Sequence, residues 1–385
     1  METTTPSIGL LQDLAALPDP RQAHKIEHLL IDIVTIGMLA VICGVNDFVG
    51  MAEFGRDQET WLRGFLKLPH GIPTHDTFGR VLARLKPRAF EQCFQSWAGR
   101  VAELTEGEVV PLDGKTLRRS HDRSHGCRAI ELVSAWSTRN RLTLGQVKVA
   151  ADSNEITAVP QLLRLLVLKG CIVTVDAIHT QKETVREIRR QEAAYVCALK
   201  GNHPLLEQAV AEYAAAVRAG RTAHMVYDTH QTVDGEHGRI ETRKYWSMTA
   251  PEWLPGFNDW QDLCSLGLVE STRQVGDQPP SVSLRYYLSS LAPDAPRLAS
   301  ATRGHWSIEN ECHWILDVAF REDECRVRTG YAAENFGLLR RWSLSLLQQE
   351  QTAKVGVYNK RLKAARSKAY LLKVVNAQSQ SSQQL

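Results

Sequence analysis

The chain has 385 residues, of which 43% are apolar and 23% charged, and its formal net charge is +3. These values are ordinary for a soluble protein with room for two or three domains; they set aside a membrane-dominated chain and leave both enzyme and binding protein open. The charge is uneven, because seven Lys or Arg and no acid follow Glu350. A basic end of this kind fits either a polyanionic partner such as nucleic acid or a solvated basic helix face.

METTTPSIGLLQDL has no charged region ahead of an apolar core, so no targeting peptide is expected. The eight cysteines (Cys43, Cys93, Cys127, Cys171, Cys197, Cys264, Cys312 and Cys325) are scattered, never spaced C-x-x-C, and read as reduced, largely buried thiols of a cytoplasmic protein. Residues 1–105 read as a helical domain. Its most apolar run, Leu29 to Val45, is interrupted by Asp32 and is 17 residues long, so it reads as a buried helix rather than a membrane span. A helix from about Asp47 to Leu66, the break LPHGIP, a helix capped by Thr74 and another from Ala89 to about Leu104 complete the domain. The hairpin at 47–85 fits a helix-turn-helix, with Arg80 and Arg84 one turn apart as DNA-contact candidates, and fits a plain helical hairpin equally well.

From Glu108 the pattern changes. EVVPLD, IELVSAWS and LTLGQVKVA are strand-like, and a helix, CIVTVDA, an amphipathic helix and AYVCALK follow. Three strands, helix, strand, helix, strand is the order of a mixed α/β sheet of RNase H-like type, in which the first and fourth strands lie side by side. Residues 203–295 carry further strand-like pieces and are too long for a loop, so a β-rich insertion is expected there. Helical patterns return at about Arg297 and run to residue 350. A basic tail occupies 351–385, and its final QSQSSQQL reads as disordered.

Gly114-Lys115-Thr116 imitates the end of a phosphate-binding loop, but the glycine required five residues earlier is Val109, so no nucleotide cradle is present. The alternative is that EVVPL delivers Asp113 to a strand end, where Gly114 turns the chain and exposes the carboxylate. CIVTV delivers Asp176 in the same way. Two carboxylates at adjacent strand ends raise each other's pKa and are suited to a hard divalent cation, although each is also an ordinary turn former. A third carboxylate is expected from a later helix. Glu309 in GHWSIENECHW is favoured, with Glu311, Asp317, Glu322, Asp323 and Glu324 as competitors. His305, Glu309 and His313 share one face at α-helical spacing; a zinc site from the two histidines is a further option, though not at a standard spacing.

LDGKTLRRS, VTVDAIHTQKE, YVCALKGNHPLL, HGRIETRKYW, HWSIENECHWILDVAFRED and ENFGLLRRWSLSLL, with DPR at 19–21 and PTHDTFGRVL at 73–82, together resemble DDE-type insertion-sequence transposases, in particular the H-repeat-associated group. The resemblance spans nearly the whole chain. It implies an RNase H-like catalytic domain over 106–350 with a β-rich insertion before the last acidic helix, preceded by the helical domain. It also implies a catalytic, metal-holding triad of Asp113, Asp176 and Glu309, with two Mg²⁺ (Mn²⁺ as a substitute) serving in-line displacement at phosphorus. Water first releases a 3′-OH at the element end, and that hydroxyl then attacks target DNA. Lys115, Arg118, Arg119, Lys200, Asn202 and His305 flank the motifs as candidates for holding phosphates. The implied partner is DNA, with a homodimer on paired ends, no membrane, and a cytoplasmic, nucleoid-associated location. Related transposases with a β-strand insertion carry Tyr-x-x-Arg-x-x-x-Glu and a Lys seven residues beyond, where this chain has Thr302, His305 and Leu316. That departure keeps two alternatives in play: a nuclease that cuts without joining, and a degenerate copy that only binds DNA.

Overall fold

A computed structural model describes residues 9–121, 126, 128–150, 154–221, 225–236, 239–276 and 278–377. Cys127, the leading METTTPSI and the closing QSQSSQQL lie outside them, and with the last of these the expectation of disorder. In chain order the elements are α1 (Leu10–Leu14), α2 (Leu30–Ile42), α3 (Phe48–Asp57), α4 (Glu59–Leu62), α5 (His75–Arg84), α6 (Pro87–Val101), β1 (Val109–Leu117), β2 (Ile130–Ser137) and β3 (Leu142–Lys148). There follow α7 (Glu155–Leu163), β4 (Ile172–Val175), α8 (Lys182–Arg190), β5 (Ala194–Leu199), α9 (Pro204–Arg218), β6 (Tyr227–Glu236), β7 (Arg239–Thr249), β8 (Ser265–Val275) and β9 (Ser281–Ser289). The chain ends in α10 (Ala295–Ser307), a π-helical turn (Ile308–His313), α11 (Trp314–Val318), α12 (Ala332–Gln349), α13 (Val357–Arg366) and α14 (Lys368–Val375). It packs as two compact units, Met1–Glu103 with Gly114–Ser153 and Glu309–Leu385, and Leu104–Asp113 with Asn154–Ile308.

In the first unit α2 is buried almost throughout, and its Asp32 accepts the Leu68 N–H at 2.9 Å. At 13 residues it reaches only about 20 Å, short of a bilayer core. No helix among the described residues is long and apolar enough to cross a membrane. The single helix expected over 47–66 is two, because the backbone at Gln58 (φ −109°, ψ 8°) leaves the helical region. The helix expected from Ala89 begins at Pro87, since proline lacks only an N–H that the first turn leaves unbonded. α12 is buried on every side, with Trp342 ring centroids 6.0, 5.5 and 5.8 Å from those of Phe90, Phe94 and Trp97. The stretch read as a basic tail is two helices, and two of its cations are buried. Lys360 donates to the Leu347 carbonyl at 2.8 Å, and Arg361 donates at 2.7 Å to the Val41 carbonyl, in the last turn of α2, which also accepts the Gly44 N–H at 3.2 Å. Burial of these two cations removes part of the charge that suggested a polyanionic partner for this end.

Glu91 on α6 is buried against β3 and accepts the Gln146 N–H at 2.9 Å. Burial raises its carboxyl from the ordinary 4.5 to about 8. The folded chain therefore keeps a proton that the unfolded chain releases, and stability declines as pH rises through that interval. Thermal unfolding at pH 5 and pH 8 is expected to show Glu91→Gln gaining on the native chain at the higher pH; equal differences at both would refute the assignment.

In the second unit the start of β1, β4 and β5 read as near-continuous apolar runs, as parallel strands covered on both faces do. β1 pairs β4 and β4 pairs β5 in parallel; β5 then pairs β9 antiparallel, and β8, β7 and β6 follow antiparallel. The hydrogen-bonded order in this unit is β1-β4-β5-β9-β8-β7-β6, while β2 and β3 form an antiparallel hairpin in the first unit. This mixed α/β sheet sets the first and fourth strands side by side, as expected of an RNase H-like core. The expected insertion is α9 followed by four strands that extend the sheet instead of forming a separate body. α10 covers the sheet through Leu298, Ala299 and Ala301, packed with Val109, Ile172 and Val196. Gly304 allows the closest approach, because a Cβ there would stand 2.9 Å from a Val109 methyl.

Candidate active site

The parallel register pairs Val109 with Ile172 and continues to Leu112 with Val175. Asp113 and Asp176 each follow the last of these pairs by one residue, so the ladder itself sets the two carboxylates next to each other. β1 does not end at Asp113 as expected: it runs on to Leu117, and Gly114 makes no left-handed turn. Contacts beyond the motif hold the strand extended. Leu117 is buried, and Lys115 Nζ lies 2.8 and 2.7 Å from the two Asp317 carboxylate oxygens.

Behind Asp176 stands a residue that motif reading passed over. His179 is fully buried, with Nδ1 2.6 Å from Asp176 Oδ1 and Nε2 3.2 Å from Glu155 Oε2. Its backbone N–H also donates to Asp176 Oδ1 at 3.1 Å, the local turn that Asp favours at a strand end. Burial by itself would lower the imidazole pKa, but the two carboxylates outweigh it and hold the ring at about 9, charged at neutral pH. Burial likewise pushes the Asp176 carboxyl up, and the His179 hydrogen bond and charge more than reverse this, leaving it below the ordinary value. One ligand atom each from Asp113, Asp176 and His179 lies within 4.8 Å of the others. Because His179 engages Oδ1, Asp176 offers its second oxygen to a cation. Two carboxylates with a cation-facing oxygen form a donor set that suits a hard divalent ion. D-x-x-H within VTVDAIHTQKE was the available sequence signal for His179; its second partner, Glu155, is on α7 and carried none.

The other sequence candidates separate by their contacts. Asn202 Nδ2 donates to the carbonyls of Ala177 and Thr180 (3.3 Å for the latter), so it braces the loop after Asp176. Lys200 is exposed on the following turn. His305 Nδ1 lies 2.9 Å from Thr174 Oγ1, on β4, two residues before Asp176. Arg118 is exposed and pairs with Asp323 at 3.0 Å, and the Arg119 carbonyl accepts from Arg328 at 3.1 Å.

Glu309 lies on the π-helical turn, with His313 Nδ1 3.6 Å from its Oε1. The turn is π-helical where an α-helix was expected, yet Glu309 and His313 still meet across it; π-turns of this kind recur at functional sites. His305 thus meets Thr174 and His313 meets Glu309, each through Nδ1. The competing acids are each committed to a cation: Glu311 to Arg141 at 2.9 Å, Asp317 to Lys115 at 2.7 Å, Glu322 to Arg341 at 3.2 Å, Asp323 to Arg118, and Glu324 to Arg321. Thr302 is buried, its hydroxyl donating to the Leu298 carbonyl at 2.9 Å, and Leu316 is buried too. The positions that carry Tyr and Lys in related enzymes are thus core positions here.

Residues 104–346 match the family described as Transposase DDE domain, and 11–98 match DDE_Tnp_1-associated. "Putative transposase YncI" of Escherichia coli O157:H7 is 38% identical over 370 residues, covering 95% of this chain and 94% of that protein. "H repeat-associated putative transposase YhhI" of Escherichia coli (strain K12) is 36% identical over 95% of this chain and 97% of its own length. A piggyBac transposase solved as a synaptic complex with hairpin DNA aligns with 99% of this chain and 80% of that one, at 10% identity and a TM-score of 0.44.

Proposed function

The chain belongs to the DDE transposases, and on that premise we propose that it cuts DNA at the ends of its own mobile element and joins the freed 3′-OH to target DNA. The observation that carries this reading is the parallel β1–β4 register, which runs to Leu112 opposite Val175, the residues just before Asp113 and Asp176. Asp113, Asp176 and Glu309 would hold divalent cations, Mg²⁺ with Mn²⁺ as substitute. Bound there, such ions activate the attacking oxygen and stabilise the leaving one. The protein's own part is to keep its acids ionised and aimed. His179 holds Asp176 charged and fixes its rotamer, while Asn202 braces the loop that carries both. Lys200, His305, Arg118 and Arg119 are the side chains for phosphates near the cut, and Lys115 acts through its pair with Asp317. In each step an oxygen nucleophile attacks phosphorus and the opposite P–O bond breaks, so the bond count at phosphorus is unchanged. The same site therefore serves water first and the 3′-OH second, and a homodimer on paired ends in the nucleoid would bring two such sites together.

The test uses the purified chain, a labelled duplex carrying the inverted repeats that flank its gene, and a precleaved duplex with a free 3′-OH. Mg²⁺-dependent nicking of the first and joining of the second to a plasmid are expected, with neither in EDTA. Nicking without joining would identify a nuclease instead. DNA binding without nicking in Mg²⁺ or Mn²⁺ would identify a degenerate copy.

A further inference from the structure

The helical region carries a second feature that points to DNA. The loop after Asp19 is closed by Arg21, which donates from its backbone N–H and Nε (both 2.9 Å) and Nη2 (2.7 Å) to the Asp19 carboxylate, and from Nη2 to the His28 carbonyl at 2.7 Å. This explains the DPR triplet: it staples residues 19–28 into a fixed rim. Opposite the rim stands α5, which buries Phe78, Val81 and Leu82. Its Thr77, Arg80 and Arg84 line a cleft of about 690 Å³ together with Arg21, Lys25 and His28 of the loop.

Lys25, Arg80 and Arg84 are exposed, and among the described residues none has a carboxylate within ion-pair distance; Glu27 is the cleft's acid. Elsewhere exposed cations commonly do have one, as in Arg63–Glu59 at 2.7 Å and Arg141–Glu311 at 2.9 Å. Arg80 Nε donates to the Asp76 carbonyl at 3.2 Å, which brings no counter-charge, and three like charges gathered without a carboxylate partner favour an anion from outside the chain. The lining is polar, with few apolar walls to grip a base or a small organic molecule, so charge alone would recognise the ligand. Arg80 and Arg84, four residues apart, are about 6 Å apart along the helix axis and would meet successive anionic groups. A recognition helix must enter the roughly 12 Å major groove with one face bare, whereas the stapled loop rises beside this face of α5.

We propose that this cleft clamps the phosphodiester backbone of duplex DNA, contributing affinity without reading sequence. The proposal rests on the transposase reading, and its test separates the two. Binding of the full chain to an element-end duplex and to an unrelated duplex is measured in EDTA over a range of salt. Each phosphate contact contributes about 0.9 to the slope of log K against log salt, so Arg80→Ala/Arg84→Ala is expected to reduce the slope by about 2. Affinity for both duplexes falls together, on the order of 10- to 100-fold at 0.1 M salt. Both side chains are exposed and alanine is a strong helix former, so the fold survives; Arg80→Lys/Arg84→Lys keeps the wild-type slope and shows that charge is what matters. An unchanged slope, or a loss confined to the element end, overturns the clamp. A native chain that binds no duplex at low salt overturns the transposase reading itself.

Discussion

Asp113→Asn, Asp176→Asn and Glu309→Gln are each expected to lower strand cleavage by roughly 10³-fold or more while DNA binding persists. The magnitude follows from several kcal/mol of cation-derived transition-state stabilisation, at 1.36 kcal/mol per decade of rate. Binding persists because each change removes negative charge from a surface that must meet phosphates. His179→Ala should behave differently. It leaves both carboxylates in place but removes the 2.6 Å imidazole contact on Asp176 Oδ1, so the carboxylate is oriented only by the backbone N–H of residue 179. Residues that orient a metal-holding side chain typically contribute 10- to 100-fold in metal affinity, so the Mg²⁺ concentration for half-maximal cleavage should rise by about that factor, with activity recovering at saturation. If all three carboxylate variants cleave at the native rate, the triad is wrong. If His179→Ala loses activity that no Mg²⁺ concentration restores, His179 does more than position Asp176.

The parts of this site visible in the sequence were those fixed by local pattern. VVPL and IVTV are apolar runs, each followed by an acid, and parallel pairing of such runs places the acids side by side whatever surrounds them. The run of β1 through Gly114 to Leu117 was not visible, because Gly-Lys-Thr reads locally as a turn; what holds it extended is Asp317, 202 residues away. The π-turn at Glu309 was hidden for a related reason. Its residues suit an α-helix equally well, and the π-helical form arises in packing. Charge counting misled most at the C-terminal end, where Lys360 and Arg361 were read as open to a polyanion or to solvent and are buried on carbonyls supplied by distant segments. Long-range partners carry no periodicity, so composition cannot distinguish such cations from solvated ones.

Glu322 and Arg341 carry the second large expected effect. Both side chains are fully buried, 3.2 Å apart, and Arg341 also donates to the Gly337 carbonyl at 3.3 Å. Glu322→Ala leaves a guanidinium in the interior without its counter-charge, which is expected to cost about 3–5 kcal/mol, read as a lower denaturant midpoint at unchanged slope. Arg341→Met added to Glu322→Ala should return most of that loss, since an apolar side chain of similar volume removes the stranded charge as well. A purely packing role predicts the opposite order, with the double variant worse than either single one, so the cycle decides between the two. The outcome also bears on the site. The turn Glu322–Glu324 carries Asp323, and Asp323 with Asp317 confines Lys115, two residues along β1 from Asp113. Loosening the turn should therefore reduce cleavage even where the chain remains folded. Cleavage that stays at the native rate in folded Glu322→Ala would show that the Lys115 pair does not steady Asp113.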